Sequence, residues 1–339
     1  MKAWELCDRF GLESLQLKSH DTPRLGQDEV RVELDAASVN YRDLLMVRGE
    51  YNPRQPLPLI PLSDGTGLIV ELGDGASAGL EVGDRVCTLF AQNWESGPLT
   101  RAGRNSALGG PLPGVLRQQV AIKSAGLIKC PAHLSAPEAA TLPCAALTAY
   151  NALFTHGELS AGQTVVLLGT GGVSIFALQF AVAHGAQVII TSSSDEKLKR
   201  ARELGASQTI NYVSNPKWGK AVREMTGGQG ADLIVEVGGA GTFNESARAV
   251  RTGGRIALIG VLAAEERPVN LTSVLMNQIR VQGVFVGNAR SFAAMNDFID
   301  EHHIQPVVDA RFPFAKAPEA FRALERGAHF GKIVIDEFS

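Results

Sequence analysis

VVLLGTGGVSIFALQFA, residues 165–181, decides the fold. Val165-Val166-Leu167-Leu168 is an apolar run of strand length, and Ile175-Phe176-Ala177-Leu178-Gln179-Phe180-Ala181 reads as a covered helix. Between them stands Gly169-Thr170-Gly171-Gly172-Val173-Ser174. Gly169 permits a tight turn, and Gly171 lets backbone N–H groups approach an anion at the positive end of the helix. A glycine cluster alone is weak evidence. With a strand before it and a helix after it, this one reads as the pyrophosphate-binding turn of a dinucleotide site. Ser174 replaces the usual third glycine, which is expected to loosen helix–strand packing slightly and to leave the N–H donors in place.

Outward from this turn, strands and helices alternate. Val188–Thr191, Leu233–Val237, Arg255–Ile259 and Val281–Val286 read as further strands. Gly172–Ala183, Glu196–Leu204, Lys217–Met225 and Phe243–Val250 read as the helices between them. That order predicts an α/β unit with a doubly wound parallel sheet. Before residue 136 the pattern differs: Val30–Leu34, Thr66–Leu72 and the turn Glu81–Val86 are short strand signals of an antiparallel, barrel-like domain. After Ser291 come two helical stretches and a final strand, Lys332–Ile335, expected to rejoin the first domain. The expected boundaries are 1–145 with 289–339 for one domain and 146–288 for the other. Between Ala91 and Val115 lies a long polar, glycine-rich stretch in which Trp94, Arg101 and Arg104 either face a substrate or decorate a surface excursion.

The composition narrows the function. At 339 residues the chain is long enough for two domains of about 150 residues each. Thirty-two basic against 35 acidic residues leave a net charge of −3, too balanced for a nucleic-acid binder. Cys7, Cys87, Cys130 and Cys144 are scattered with no CxxC, which fits a reducing cytoplasm and argues against a cysteine-built zinc site. With no apolar run of about 18 residues and no signal-like start, the expectation is a cytoplasmic protein with no membrane segment.

The strand Val188-Ile189-Ile190-Thr191 ends in Ser192-Ser193-Ser194, where an NAD site would carry an acid for the ribose 2′-OH. Hydroxyls on Ser192 and Ser193 can donate to a 2′-phosphate, and Lys197 can supply the countercharge. Asp195 lies further along, as the first-turn acid of the next helix. NADP(H) is therefore favoured over NAD(H).

The segments AASVNYRDLLMVRGEY (36–51), PLIPLSDGTGLIVELG (58–73), VGDRV (82–86), LPCAALTAYNAL (142–153), RTGGRIALIG (251–260) and GKIVI (331–335) join the glycine turn in one resemblance. Along essentially its whole length the chain resembles the medium-chain dehydrogenase/reductase superfamily, nearest to its zinc-free quinone oxidoreductase and enoyl reductase branch. The resemblance implies a GroES-like β-barrel catalytic domain built from both chain ends around a Rossmann domain, with the active site in the cleft between. In the zinc-dependent branch the catalytic ligand positions would fall on Asn40, Ser63 and Cys144, with Asp64 at the position of a nearby acid. Too few good ligands are left, so no metal is expected. Thr148 falls where a residue packs by the nicotinamide, Tyr212 where an aromatic lies near the adenosine phosphate, and Lys332 is a further expected phosphate contact.

Without zinc, a conjugated carbonyl or quinone is the easier hydride acceptor, because the resulting anion is delocalised and a few donors suffice. Asn40 and Tyr51 are the candidate donors, and Arg42 with Asp43 reads as a structural ion pair. The leading expectation is zinc-independent, NADPH-dependent hydride transfer to an α,β-unsaturated carbonyl or quinone of small size. The alternatives are an alcohol dehydrogenase or carbonyl reductase of the same superfamily, and a non-catalytic cofactor-binding protein. The apolar run at Gly283–Val286 suggests an edge strand covered by a second copy, so a homodimer is expected.

Overall fold

A computed structural model describes residues 1–76, 79–260, 262 and 268–338. The chain divides into two compact units, Met1–Leu147 with Gly287–Ser339, and Thr148–Val286.

In the unit Thr148–Val286, six parallel strands lie in the order Gln208–Asn211, Gln187–Ser192, Thr164–Leu168, Ala231–Glu236, Val250–Leu258 and Arg280–Gly283. Counted along the chain the order is 3-2-1-4-5-6, so the sheet reverses between Thr164–Leu168 and Ala231–Glu236. Sheets of this kind bind ligands outside the carboxyl ends of the strands at the reversal. Val165, Val166 and Leu167 are fully buried, which is why this strand is apolar without alternation. A core of Val166, Ile234, Ile256, Trp218, Val222 and Phe243 packs one side.

The helices Gly172–Ala183, Asp195–Glu203, Trp218–Met225 and Phe243–Ala249 fall within one residue of their predicted bounds at each end. The strand Gln208–Asn211 was not predicted: it is four residues long with only Ile210 apolar, and only its pairing with Gln187–Ser192 marks it. The last strand ends at Gly283, not at Val286, whose φ of 42° breaks the extended backbone.

In the other unit, Glu29–Val39 is the central strand. It pairs antiparallel with Lys332–Asp336, Asp64–Leu72 and Gln119–Lys123. Arg85–Thr88 and Leu127–Lys129 extend the sheet on one side, and Val308–Pro313 pairs parallel with Lys332–Asp336 on the other. Val308–Pro313 is a strand that the sequence pattern did not reveal. Register fixes the site: Val39 lies opposite Ile333, and Ser38 opposite Asp64. Asn40, Lys332 and Asp64 are thereby gathered at one end of three adjacent strands. The helix Tyr41–Arg48 starts at that end and stops at Gly49, whose φ of 73° suits glycine. Residues 91–115 are tied into this unit: Leu108 and Val115 enter its core, and Ala289 N donates to Trp94 O at 3.1 Å.

Candidate active site

At the sheet reversal, Gly169 takes a φ of 72°, a conformation that glycine adopts without strain. Gly171 differs. Its φ is −80° and an added Cβ would meet no protein atom within 4 Å, so neither backbone conformation nor packing requires glycine here. An approaching ligand would. Thr170 is buried, Gly172 and Val173 open the helix, and Gly169 N donates to Thr191 Oγ1 at 3.3 Å. A pyrophosphate therefore fits the residues present. Ser174 does not loosen the packing as expected: its buried hydroxyl donates to Leu168 O at 2.6 Å and ties helix to strand.

One strand over, Ser192 is buried and its Oγ accepts from Ser194 N at 3.3 Å, and Ser193 is exposed. Asp195 Oδ1 accepts from Asn211 Nδ2 at 2.8 Å, which turns that carboxylate toward the neighbouring strand. Tyr212 N donates to Ser192 O at 3.1 Å, so Ser192, Ser193 and the exposed Tyr212 share one strand-end cluster, with Lys197 in the first turn of the next helix. Sequence reading missed Glu236. Its buried Oε1 accepts from Gly238 N, Gly239 N and Thr242 Oγ1 at 2.7, 3.0 and 2.6 Å, and so shapes the loop on the other side of the reversal. The signal was an acid ending the apolar run Leu233-Ile234-Val235. Thr148 is buried in this same unit.

In the other unit, Lys332 is 3% exposed and its Nζ donates to Val39 O at 2.9 Å and to Asn40 Oδ1 at 2.5 Å. The lysine expected to reach a phosphate is enclosed among Asn40, Asp64, Asp43 and Cys144. Asp64 accepts from Ser63 Oγ at 2.7 Å and from Cys144 N at 3.2 Å. Burial pushes its carboxyl up to about 6 against the pull of the Lys332 ammonium. Burial also raises Asp43 and the Cys144 thiol and lowers Lys332. The expected Arg42–Asp43 ion pair is present at 3.1 Å, and Arg42 also donates to Leu108 O and Gly110 O, each at 2.8 Å.

Asn40 is 9% exposed, and its Nδ2 makes no hydrogen bond among the described residues. Tyr51 is 50% exposed, with the Arg42 guanidinium 5.4 Å from its ring centre. Tyr51 follows the helix Tyr41–Arg48, and its N–H donates back to Leu45 O at 3.2 Å.

A zinc ion does not fit this donor set. Asn40 and Ser63 are neutral, weak ligands for zinc, and an ammonium already lies among them. Among the described residues no three His, Cys, Asp or Glu side chains gather as a metal site.

A 3-2-1-4-5-6 sheet with a ligand-ready glycine turn at its reversal defines a dinucleotide-binding α/β protein. Comparison with known proteins narrows that class. Residues 26–132 match the alcohol dehydrogenase GroES-like domain, and residues 172–301 match the zinc-binding dehydrogenase domain. A zinc-type alcohol dehydrogenase-like protein of Schizosaccharomyces pombe is 42% identical over 332 residues, 96% of each chain. The crystal structure of a putative alcohol dehydrogenase from Sinorhizobium meliloti superimposes with a TM-score of 0.91 at 39% identity, covering 99% of this chain and 98% of that one. An acryloyl-coenzyme A reductase of Sulfurisphaera tokodaii is 27% identical over 94% of this chain and 96% of its own. The chain belongs to the medium-chain dehydrogenase/reductase superfamily, alcohol dehydrogenase-like. It is an NAD(P)-dependent oxidoreductase. No described helix is long and apolar enough to cross a membrane.

Proposed function

We propose that this oxidoreductase is a zinc-independent, NADPH-dependent reductase of α,β-unsaturated carbonyl compounds or quinones. The observation that carries the reading is the buried, unpartnered Asn40 Nδ2 beside the Lys332 ammonium, where the zinc-dependent branch would place its metal. The bound cofactor supplies hydride to the β-carbon of the acceptor. The negative charge that this puts on the acceptor oxygen is spread over an enolate or hydroquinone, and the Asn40 N–H groups donate to it. A saturated carbonyl would give a localised alkoxide, for which a neutral amide is a weak substitute for a Lewis acid. Tyr51, in contact with solvent, is a candidate to return a proton to the α-carbon.

NADPH is favoured by the hydroxyls of Ser192 and Ser193, by the engagement of Asp195 with Asn211, and by Lys197 in the adjoining helix turn. Thr148 and Tyr212 are the proposed neighbours of the nicotinamide and the adenosine phosphate.

The test follows NADPH absorbance in chelator-treated enzyme with an enone and its saturated ketone as paired acceptors. Oxidation with the enone alone supports conjugate reduction. Equal turnover of the ketone supports the second reading, alcohol or carbonyl oxidoreduction, which the names of the more similar relatives favour. Stoichiometric zinc with loss of activity on chelation would defeat the metal-free reading.

The protein is further proposed to be a cytoplasmic homodimer. Four free thiols suit a reducing compartment. The edge strand Arg280–Gly283 is exposed along its length, and Leu271, Leu275 and Met276 of the helix before it are also exposed, which a second copy would cover.

A further inference from the structure

We infer that Lys332 is a positioning residue: its ammonium locks the Asn40 amide so that the NH₂ group, and not the carbonyl oxygen, is the end offered to an acceptor. This assignment rests on the conjugate-reduction reading above and gives it a second component.

An asparagine amide has a donor end and an acceptor end of nearly the same shape, and a half-turn about the last side-chain bond exchanges them. What decides the orientation here is the lysine. Nζ donates to Asn40 Oδ1 at 2.5 Å and, from the same ammonium, to Val39 O at 2.9 Å. A flipped amide would set two N–H donors against a cation that has no acceptor to offer. The backbone beneath the amide is pinned as well, because Asn40 N donates to Asp43 Oδ2 at 2.9 Å at the start of the helix.

The other end of the amide faces the Asp64 carboxyl. Asp64 is near enough for the Asn40 amide to hold its carboxyl down, yet Nδ2 makes no hydrogen bond, and the Asp64 oxygens are engaged by Ser63 Oγ and Cys144 N. A buried donor left unpaired is costly, and folds keep such groups where a ligand brings the acceptor. The lysine cannot serve as an outward phosphate contact from this position, being enclosed and already committed to two acceptors. Its charge lies directly behind the carbonyl oxygen of Asn40, which polarises the amide toward donation.

Four proteins test the assignment: Lys332→Met, Lys332→Arg, Asn40→Ala and the double variant Lys332→Met/Asn40→Ala. NADPH affinity is read by fluorescence titration, and kcat and KM with the enone that the wild type reduces. If Lys332 acts through Asn40, each removal lowers kcat by about 100-fold, and the double variant is no worse than the poorer single by more than about twofold. NADPH affinity then changes little, and Lys332→Arg, which keeps a donor toward Oδ1, recovers much of kcat. Multiplying losses in the double variant, or a weakened NADPH affinity with unchanged kcat, would overturn the assignment in favour of an independent role or a phosphate contact.

A measurement that needs no turnover separates this from the activity. In protein labelled with ¹⁵N-asparagine, the Asn40 side-chain amide signal is identified by its loss in Asn40→Asp. It should keep its place in Lys332→Arg and move in Lys332→Met, with thermal midpoints confirming that both variants are folded. An unmoved signal in folded Lys332→Met sinks the inference. A moved signal in a protein that reduces no enone would leave the lysine–amide lock standing and remove the proposed reaction.

Discussion

Asp64 carries the clearest pH dependence of any single residue. Burial pushes its carboxyl up to about 6 from the usual 3.8, so between these values the folded state holds a proton that the unfolded state has lost. Stability therefore falls as pH rises through this window, by about 3 kcal/mol in all. Urea unfolding of wild type and Asp64→Asn between pH 4 and 8 should show the variant gaining relative stability as pH rises; parallel curves would contradict it. Ser192 answers a different question. Placing a carboxylate there with Ser192→Asp should weaken NADPH through repulsion of the 2′-phosphate and favour NADH by about tenfold or more in kcat/KM. An unchanged preference would locate cofactor choice elsewhere.

The glycine turn separates conformational from ligand-imposed constraints within three residues. Gly171→Val should leave the unfolding midpoint near that of the wild type, because its φ is −80° and the added side chain starts in open space, yet it should abolish NADPH binding. Gly169→Ala places a Cβ on a residue with a φ of 72° and should cost about 1 kcal/mol of stability. Paired melting curves and cofactor titrations distinguish the two. In the other unit, Arg85–Thr88 and Leu127–Lys129 bring the Cys87 and Cys130 sulfurs to 2.9 Å. Hydrogen bonding from Cys87 pulls the partly exposed Cys130 thiol down, whereas burial raises Cys87 and Cys144. Cys130 should therefore be alkylated before either of those two, as peptide mass spectrometry over a time course would show.

The strand Thr164–Leu168 was legible in the sequence because its continuous apolar run is buried. Gln208–Asn211 and Val308–Pro313 were missed because their residues are mixed and their extended form is imposed by the partner strand. The candidate site divides in the same way. The glycine turn is local and was legible, whereas the Lys332–Asn40 contact spans 292 residues and only register brings it about.

For the molecule as a whole, the proposed dimer makes a direct prediction. Leu275, 74% exposed on the helix Leu271–Met276, belongs to an apolar face next to the edge strand. If a second copy covers it, Leu275→Asp with Val281→Asp should convert a dimer of about twice the chain mass into a monomer by light scattering. A wild type that is already monomeric at micromolar concentration would end that proposal. Charge reaches the same scale: a net −3 over 339 residues gives little general attraction for polyanions, so salt should affect turnover only weakly.

The separation of 292 residues from Asn40 to Lys332 also sets a schedule for the ribosome. At about 5–20 residues per second, roughly 15–60 s pass between synthesis of the asparagine and synthesis of its lysine. Throughout that interval the strand Glu29–Val39 lacks one of its neighbours, and Asp64, destined for burial, waits without its countercharge. Thr148–Val286, by contrast, is one continuous stretch that emerges with all six of its strands. The nascent chain thus finishes its nucleotide-binding half first, and the half that holds Asn40 closes only when Lys332 arrives.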